Sequence, residues 1–189
     1  MTTTFYLDTG AFFLVAGLDD SGLFLLNQAI SKNEIELCLT HVQIDEHGDR
    51  EKSYEENFVK AMNKLTAKKV KFLVESTKED YWDISRWGLA EWGNDLLYRI
   101  DDELRLEIEK CNKKNKNASY DALIAISSLN HDYFITTDIC LTYAWKAVIL
   151  NNQKNKEALE KNYAIPQIIK RKTPKSVLNT LLELKNKLK

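Results

Sequence analysis

Four acidic residues in this 189-residue chain sit where chemistry is most readily placed: Asp8, Glu46, Asp121 and Asp138. Asp8 directly follows the short apolar run Phe5-Tyr6-Leu7, and Asp138 closes Tyr133-Phe134-Ile135-Thr136-Thr137. Both runs have the apolar, aromatic and β-branched composition of buried strands, so each acid stands at a strand's C-terminal end. In Asn117-Ala118-Ser119-Tyr120-Asp121, Ser119 is placed to cap a helix whose first turn holds Asp121. Thr40-His41-Val42-Gln43 matches a capping box, and the helix it opens carries Asp45 and Glu46 in its second turn. Asp45 is the alternative acid there, facing about 100° away from Glu46. Carboxylates gathered at short range raise one another's pKa, a conflict that a divalent cation removes. An all-oxygen ligand set points to Mg²⁺ or Mn²⁺. Such an ion can generate hydroxide from bound water and steady a leaving oxygen, which is the chemistry of phosphoester hydrolysis.

The elements needed to bring these acids together are legible along the chain. After the first strand, residues 11–30 carry apolar positions at helical spacing, broken at Asp19-Asp20-Ser21-Gly22, so two helices or one interrupted helix are expected. Residues 34–39 alternate, with Ile35, Leu37 and Leu39 on one face of a second strand. A Lys/Glu-rich helix is expected over residues 53–67 and an edge strand over 70–74. Residues 79–109 read as a long helical region, broken near Gly93-Asn94 and holding Trp82, Trp87 and Trp92. These rings suit either core packing or a base-stacking platform. A basic, Asn-rich loop over 111–117 precedes the Asp121 helix. A helix over 139–150, a mobile polar segment over 151–162 and a last short strand at Tyr163-Ala164-Ile165 complete the expectation. Thr173-Pro174 then opens a terminal helix with Val177, Leu178, Leu181 and Leu182 as its apolar face. Strands alternating with helices predict an α/β sandwich with a mostly parallel sheet, and right-handed crossovers would put all strand C-termini on one edge.

Composition bounds what the protein can be. The length suits one domain, residues 1–189, with an enlarged helical region at about 79–117 and a basic C-terminal segment at about 151–189. No apolar run reaches about 18 residues, so no membrane span is expected. Residues 1–4 lack a secretory pattern. Cys38, Cys111 and Cys140 are far apart without zinc-like spacing, and read as reduced thiols of a cytoplasmic protein. His41, His47 and His131 also lack ligand spacing, and Asp49, Asp95, Asp101 and Asp102 read as solvated surface acids. The net charge of −1 argues against a blanket polyanion binder. The charge is nevertheless uneven, with ten Lys/Arg against three Glu over residues 151–189. Lys113, Lys114 and Lys116 lie just before Asp121, where they would flank a phosphate backbone at the site.

Taken in order, "FYLDTGAFF", "LTHVQIDE", "SYDALIAI" and "YFITTD" resemble the PIN-domain nucleases over residues 5–138, and more loosely from 163 to the end. Asp8-Thr9 matches the family's strand-Asp-Thr opening. Thr40 and Glu46 match its Ser/Thr six residues before a Glu. Residues 121–125, Asp-Ala-Leu-Ile-Ala, match its most specific element, and Thr136-Thr137-Asp138 its closing Thr-x-Asp. The chain departs from the pattern at Gly10, where Ser is common, and in longer stretches between Gly93 and Asn117 and after Asp138.

The resemblance implies a PIN-like three-layer α/β/α sandwich with a mostly parallel sheet of about five strands. It implies Mg²⁺- or Mn²⁺-dependent endonucleolytic cleavage of RNA, with Asp8, Glu46, Asp121 and Asp138 as the catalytic, metal-site acids. Thr136 or Thr137 would orient a carboxylate or bound water through its hydroxyl, and Thr9 is a weaker candidate for that role. Many such proteins are toxins of toxin–antitoxin pairs, often homodimers held inactive by a small antitoxin protein. The alternative is a PIN-like fold that no longer cleaves and serves as a nucleic-acid-binding or scaffold module. A phosphotransferase of the haloacid-dehalogenase type, with Asp8 as nucleophile, would need a second Asp where Gly10 stands.

Overall fold

The computed structural model describes residues 2–40, 42–45, 60–61, 63–65, 68–69, 95–113 and 117–185. Its elements in chain order are β1 (Thr3–Leu7), α1 (Thr9–Ala16), α2 (Asp20–Ser31), β2 (Ile35–Leu39), α3 (Val42–Asp45) and β3 (Lys68–Lys69). They continue with α4 (Asp95–Cys111), α5 (Ala118–Ser127), β4 (Tyr133–Thr136), α6 (Ile139–Trp145), α7 (Gln153–Glu160), β5 (Gln167–Lys170) and α8 (Pro174–Leu184). A π-helical turn, Lys146–Leu150, prolongs α6. The expected edge strand at 70–74, the Trp-bearing residues 79–94 and most of the 53–67 helix lie outside the described residues.

The sheet is parallel throughout, in the order β3-β2-β1-β4-β5. Four strands of four or five residues carry it, and the two-residue pairing of Cys38 and Leu39 with Lys68 and Lys69 extends it beyond β2. Helices cover both faces, so the inner strands are buried on both sides. One core layer packs Tyr6, Cys38 and Phe134 under α4, α5 and α6, with Trp145 at its centre. The other packs Phe5, Leu7, Leu37 and Ile135 under α1, α2 and α8. Strand alternation divides these residues: Phe5 and Leu7 face one layer, and Tyr6 the other. Among the described residues no single helix is long and apolar enough to cross a membrane.

Several local expectations change. The α5 helix begins at Ala118, with Asn117 rather than Ser119 in the capping position, and the Asn117 carbonyl accepts from the Asp121 N–H at 2.9 Å. Asp121 remains in the first turn. The last strand follows Pro166 instead of preceding it, because proline cannot donate to a ladder and the register Phe134 with Ile168 pairs residues beyond it. The segment expected to be mobile contains α7. Asn155 there is fully buried; its amide donates to Glu103 at 2.6 Å and to the Val148 carbonyl at 2.9 Å, while Arg99 donates to its oxygen at 2.7 Å. Asp101 is not a surface acid: it is 1% exposed, on the stripe of α4 that also buries Leu97, Leu104 and Ile108.

The cysteine reading also needs correction. Cys111 and Cys140 form a disulfide, with Cα atoms 5.5 Å apart. Packing of α4 against α6 brings the end of one helix to the start of the other, a closeness that 29 residues of separation conceal. Cys38 is buried and outside any disulfide, as expected.

Candidate functional site

The sheet order reverses between β1 and β4. From β1 the chain moves outward through β2 to β3, then returns to the other side of β1 to lay down β4 and β5. In open α/β sheets the crevice beyond the strand C-termini at such a reversal is where ligands bind. Asp8 follows β1 and Asp138 follows β4, so the two acids stand at this point.

Asp8 is 6% exposed and fixed from several directions. Its N–H donates to the Ile135 carbonyl at 2.9 Å, prolonging the β1–β4 ladder by one step. Its Oδ1 accepts from the Ala11 N–H at 2.5 Å, which caps α1. Its Oδ2 accepts from the Thr136 hydroxyl and from the Thr137 N–H, the latter at 2.9 Å. The Thr136 hydroxyl in turn accepts from the Asp138 N–H at 2.9 Å, so one buried oxygen links the two acids. Burial pushes the Asp8 carboxyl up to about 6; the Thr136, Ala11 and Thr137 hydrogen bonds pull the other way, and the nearby Asp138 charge adds to the rise.

Asp138 caps α6. Its Oδ1 accepts from the N–H groups of Cys140 at 2.5 Å and Leu141 at 3.0 Å, and its carbonyl accepts from the Thr142 hydroxyl at 2.7 Å. Its Oδ2 accepts no hydrogen bond among the described residues. Asp8 Oδ1 accepts one, so both carboxylates keep lone pairs for a ligand.

Of the two threonines expected near the acids, Thr136 reaches Asp8 through its hydroxyl, while Thr137 contributes its backbone N–H. Thr9 is buried in the first position of α1. Asp121 is half-buried in the first turn of α5, which packs against α3. Asp45 ends α3, whereas Glu46, Lys114 and Lys116 lie outside the described residues; Lys113 is exposed. Among the described residues no three His, Cys, Asp or Glu side chains stand close enough together to hold a metal ion. What those residues bring together is thus the pair Asp8 and Asp138. A hard, oxygen-seeking cation that keeps its waters is typically held by one or two carboxylates, and the pair fits that requirement in donor type and spare lone pairs.

Two supports were visible in the sequence only as something else. Gln43 is fully buried: its side-chain oxygen accepts from the Thr40 N–H at 2.7 Å, and its amide donates to the Leu7 carbonyl at 2.5 Å. The capping residue of α3 thereby clasps the strand end that carries Asp8. Gly10 is the other. A Cβ at this position would collide with the Thr137 hydroxyl and lie 3.2 Å from Thr137 Cβ and Cγ2. The Thr137 side chain fills the space that a larger residue at position 10 would need. On the β5 side, the Arg171 N–H donates to the Thr136 carbonyl at 2.9 Å, while its guanidinium is turned to Thr180 and the Lys170 carbonyl.

Comparison of the chain with protein-family models, curated proteins and solved structures gives no significant match.

Proposed function

We propose that this chain is a PIN-type endoribonuclease of the cytoplasm that hydrolyses RNA phosphodiesters with Mg²⁺ or Mn²⁺. The observation that carries the reading is the Asp8–Asp138 pair at the sheet's reversal point, joined through Thr136, with the Asp8 carboxyl held up at about 6. Burial and a second acid beside it oppose ionisation of the Asp8 carboxyl, and a divalent cation would relieve both. A bound cation supplies an activated water and stabilises the leaving oxygen. Asp8 and Asp138 would hold it, with Glu46 and Asp121 completing the acidic set. Thr136, through its hydroxyl, holds Asp8 Oδ2 and receives the Asp138 N–H. Gln43 keeps α3, and the chain leading to Glu46, against the end of β1. Lys113, Lys114 and Lys116 would guide the strand toward Asp121.

One observation favours the second reading, a non-cleaving nucleic-acid-binding or scaffold module: the absence of a three-residue metal cluster among the described residues. Cleavage of end-labelled single-stranded RNA with Mn²⁺, Mg²⁺ or EDTA, wild type beside Asp121→Asn, separates the two. The nuclease reading expects metal-dependent cleavage that the substitution abolishes. RNA binding without cleavage in either metal would leave the module. In the same RNA-binding assay, reversing the three lysines to Glu should lower affinity and flatten its salt dependence.

A further inference from the structure

The Cys111–Cys140 bridge stands two residues beyond Asp138 and closes the end of α4 onto the first turn of α6. The N–H of Cys140 is itself one of the two that hold Asp138 Oδ1. On its other side the bridge holds Cys111, the last residue of α4. One covalent link therefore ties the turn that bears Asp138 to the end of α4. Its sulfurs are unequally accessible. Cys140 is 8% exposed, whereas Cys111 is exposed and lines an open cleft of about 450 Å³ with Lys110, Tyr143 and Lys146.

We infer that Cys111–Cys140 is a reversible thiol–disulfide switch, opened by dithiol reductants through the cleft, that tightens the Asp138 turn when closed. Disulfides in reducing compartments are usually transient and redox-sensing, so the cytoplasmic setting proposed above fits a switch better than a permanent staple. In the opening step a reductant thiolate attacks Cys111 Sγ. The S–S bond breaks, and Cys140 Sγ leaves as a thiolate and takes up a proton. The second thiol of the reductant then attacks its own sulfur in the mixed disulfide and releases Cys111. Two electrons pass to the bridge, and the dithiol ends as a cyclic disulfide. With the link open, the first turn of α6 is held by its hydrogen bonds to Asp138 and by packing, without a covalent tie to α4.

The test compares the full chain oxidised and after dithiothreitol, without denaturant, by thiol counting, amide hydrogen exchange and Mn²⁺ titration. Two thiols should appear, and the amides of Cys140 and Leu141 should exchange at least ten-fold faster. Mn²⁺ affinity, which rests on the metal reading above, should fall at least ten-fold. Cys111→Ser, an exposed change, should reproduce the reduced pattern and ignore the reductant. Three results overturn the switch: thiols free under every oxidant, a bridge that opens only in denaturant, or opening without faster exchange in the Asp138 turn. If neither redox form binds Mn²⁺, the metal reading fails, while the exchange data still decide the switch.

Discussion

The raised Asp8 carboxyl makes a signed prediction about stability. The folded protein holds the proton to about pH 6, whereas an ordinary aspartate releases it near 3.8. Between these values the folded state binds more protons than the unfolded one, so stability must fall as pH rises through the window. A tenfold difference in proton affinity is worth about 1.4 kcal/mol, which makes the total loss about 3 kcal/mol. In a chain of this size that corresponds to a drop in Tm of about 6–12 °C. Asp8→Asn removes the titration but not the shape. Its three partners are all donors, so the amide NH₂ must face one of them, at a pH-independent cost of about 1–3 kcal/mol. The variant should therefore be the less stable protein at pH 4 and should gain about 3 kcal/mol on wild type by pH 7.5. Urea unfolding of both proteins in EDTA, at steps between these pH values, measures the difference. A difference that stays flat across the window would refute the argument, because it would mean that Asp8 titrates like a surface carboxyl. Added Mg²⁺ or Mn²⁺ at pH 7.5 should restore stability to wild type alone, by about 3 kcal/mol at a hundred-fold excess over Kd.

Two further predictions concern the supports of the site. Gly10→Ala should cost about 1–3 kcal/mol by driving Thr137 from its position, and Thr137→Ala should recover most of that loss in the double variant; additive losses in urea melts would show that the two positions do not compete for space. Gln43→Leu should cost about 2–6 kcal/mol, since it orphans the buried Thr40 N–H and Leu7 carbonyl together; a loss below about 1 kcal/mol in the same assay would show that the clasp is dispensable.

The sequence was informative where a local signal and the tertiary structure asked for the same thing. Asp19 caps α2, with its Oδ1 accepting from the Gly22 N–H, and that is where the apolar pattern broke. Thr173 and Pro174 open α8 in a capping box with Ser176, and Asp8 and Asp138 follow their strands as the apolar runs suggested. Contacts between distant segments were not readable. Asp101 is the exception within a legible pattern: the stripe of Leu97, Ile100, Leu104 and Ile108 includes position 101 and excludes Asp102, and it was residue type alone that made Asp101 read as a surface acid. The polar composition of α7 hid a helix anchored by one buried asparagine. The pairing of Cys111 with Cys140 depends on a helix crossing, and the meaning of Gly10 depends on Thr137, 127 positions away. The capping glutamine of α3 was visible as a cap, but its second bond, to the end of β1, was not.

The Asp8–Thr136 hydrogen bond spans 128 residues, so it also has a meaning in time. Synthesis at about 5–20 residues per second separates the appearance of its two partners by on the order of 10 s. Through that interval the Asp8 carboxylate has emerged without its hydroxyl partner, its neighbouring acid or the strand that buries it. It stays an ordinary, hydrated aspartate until β4 is laid beside β1. The site is thus a late product of translation: an unfinished or truncated chain carries its first acid but none of the surroundings that make that acid unusual.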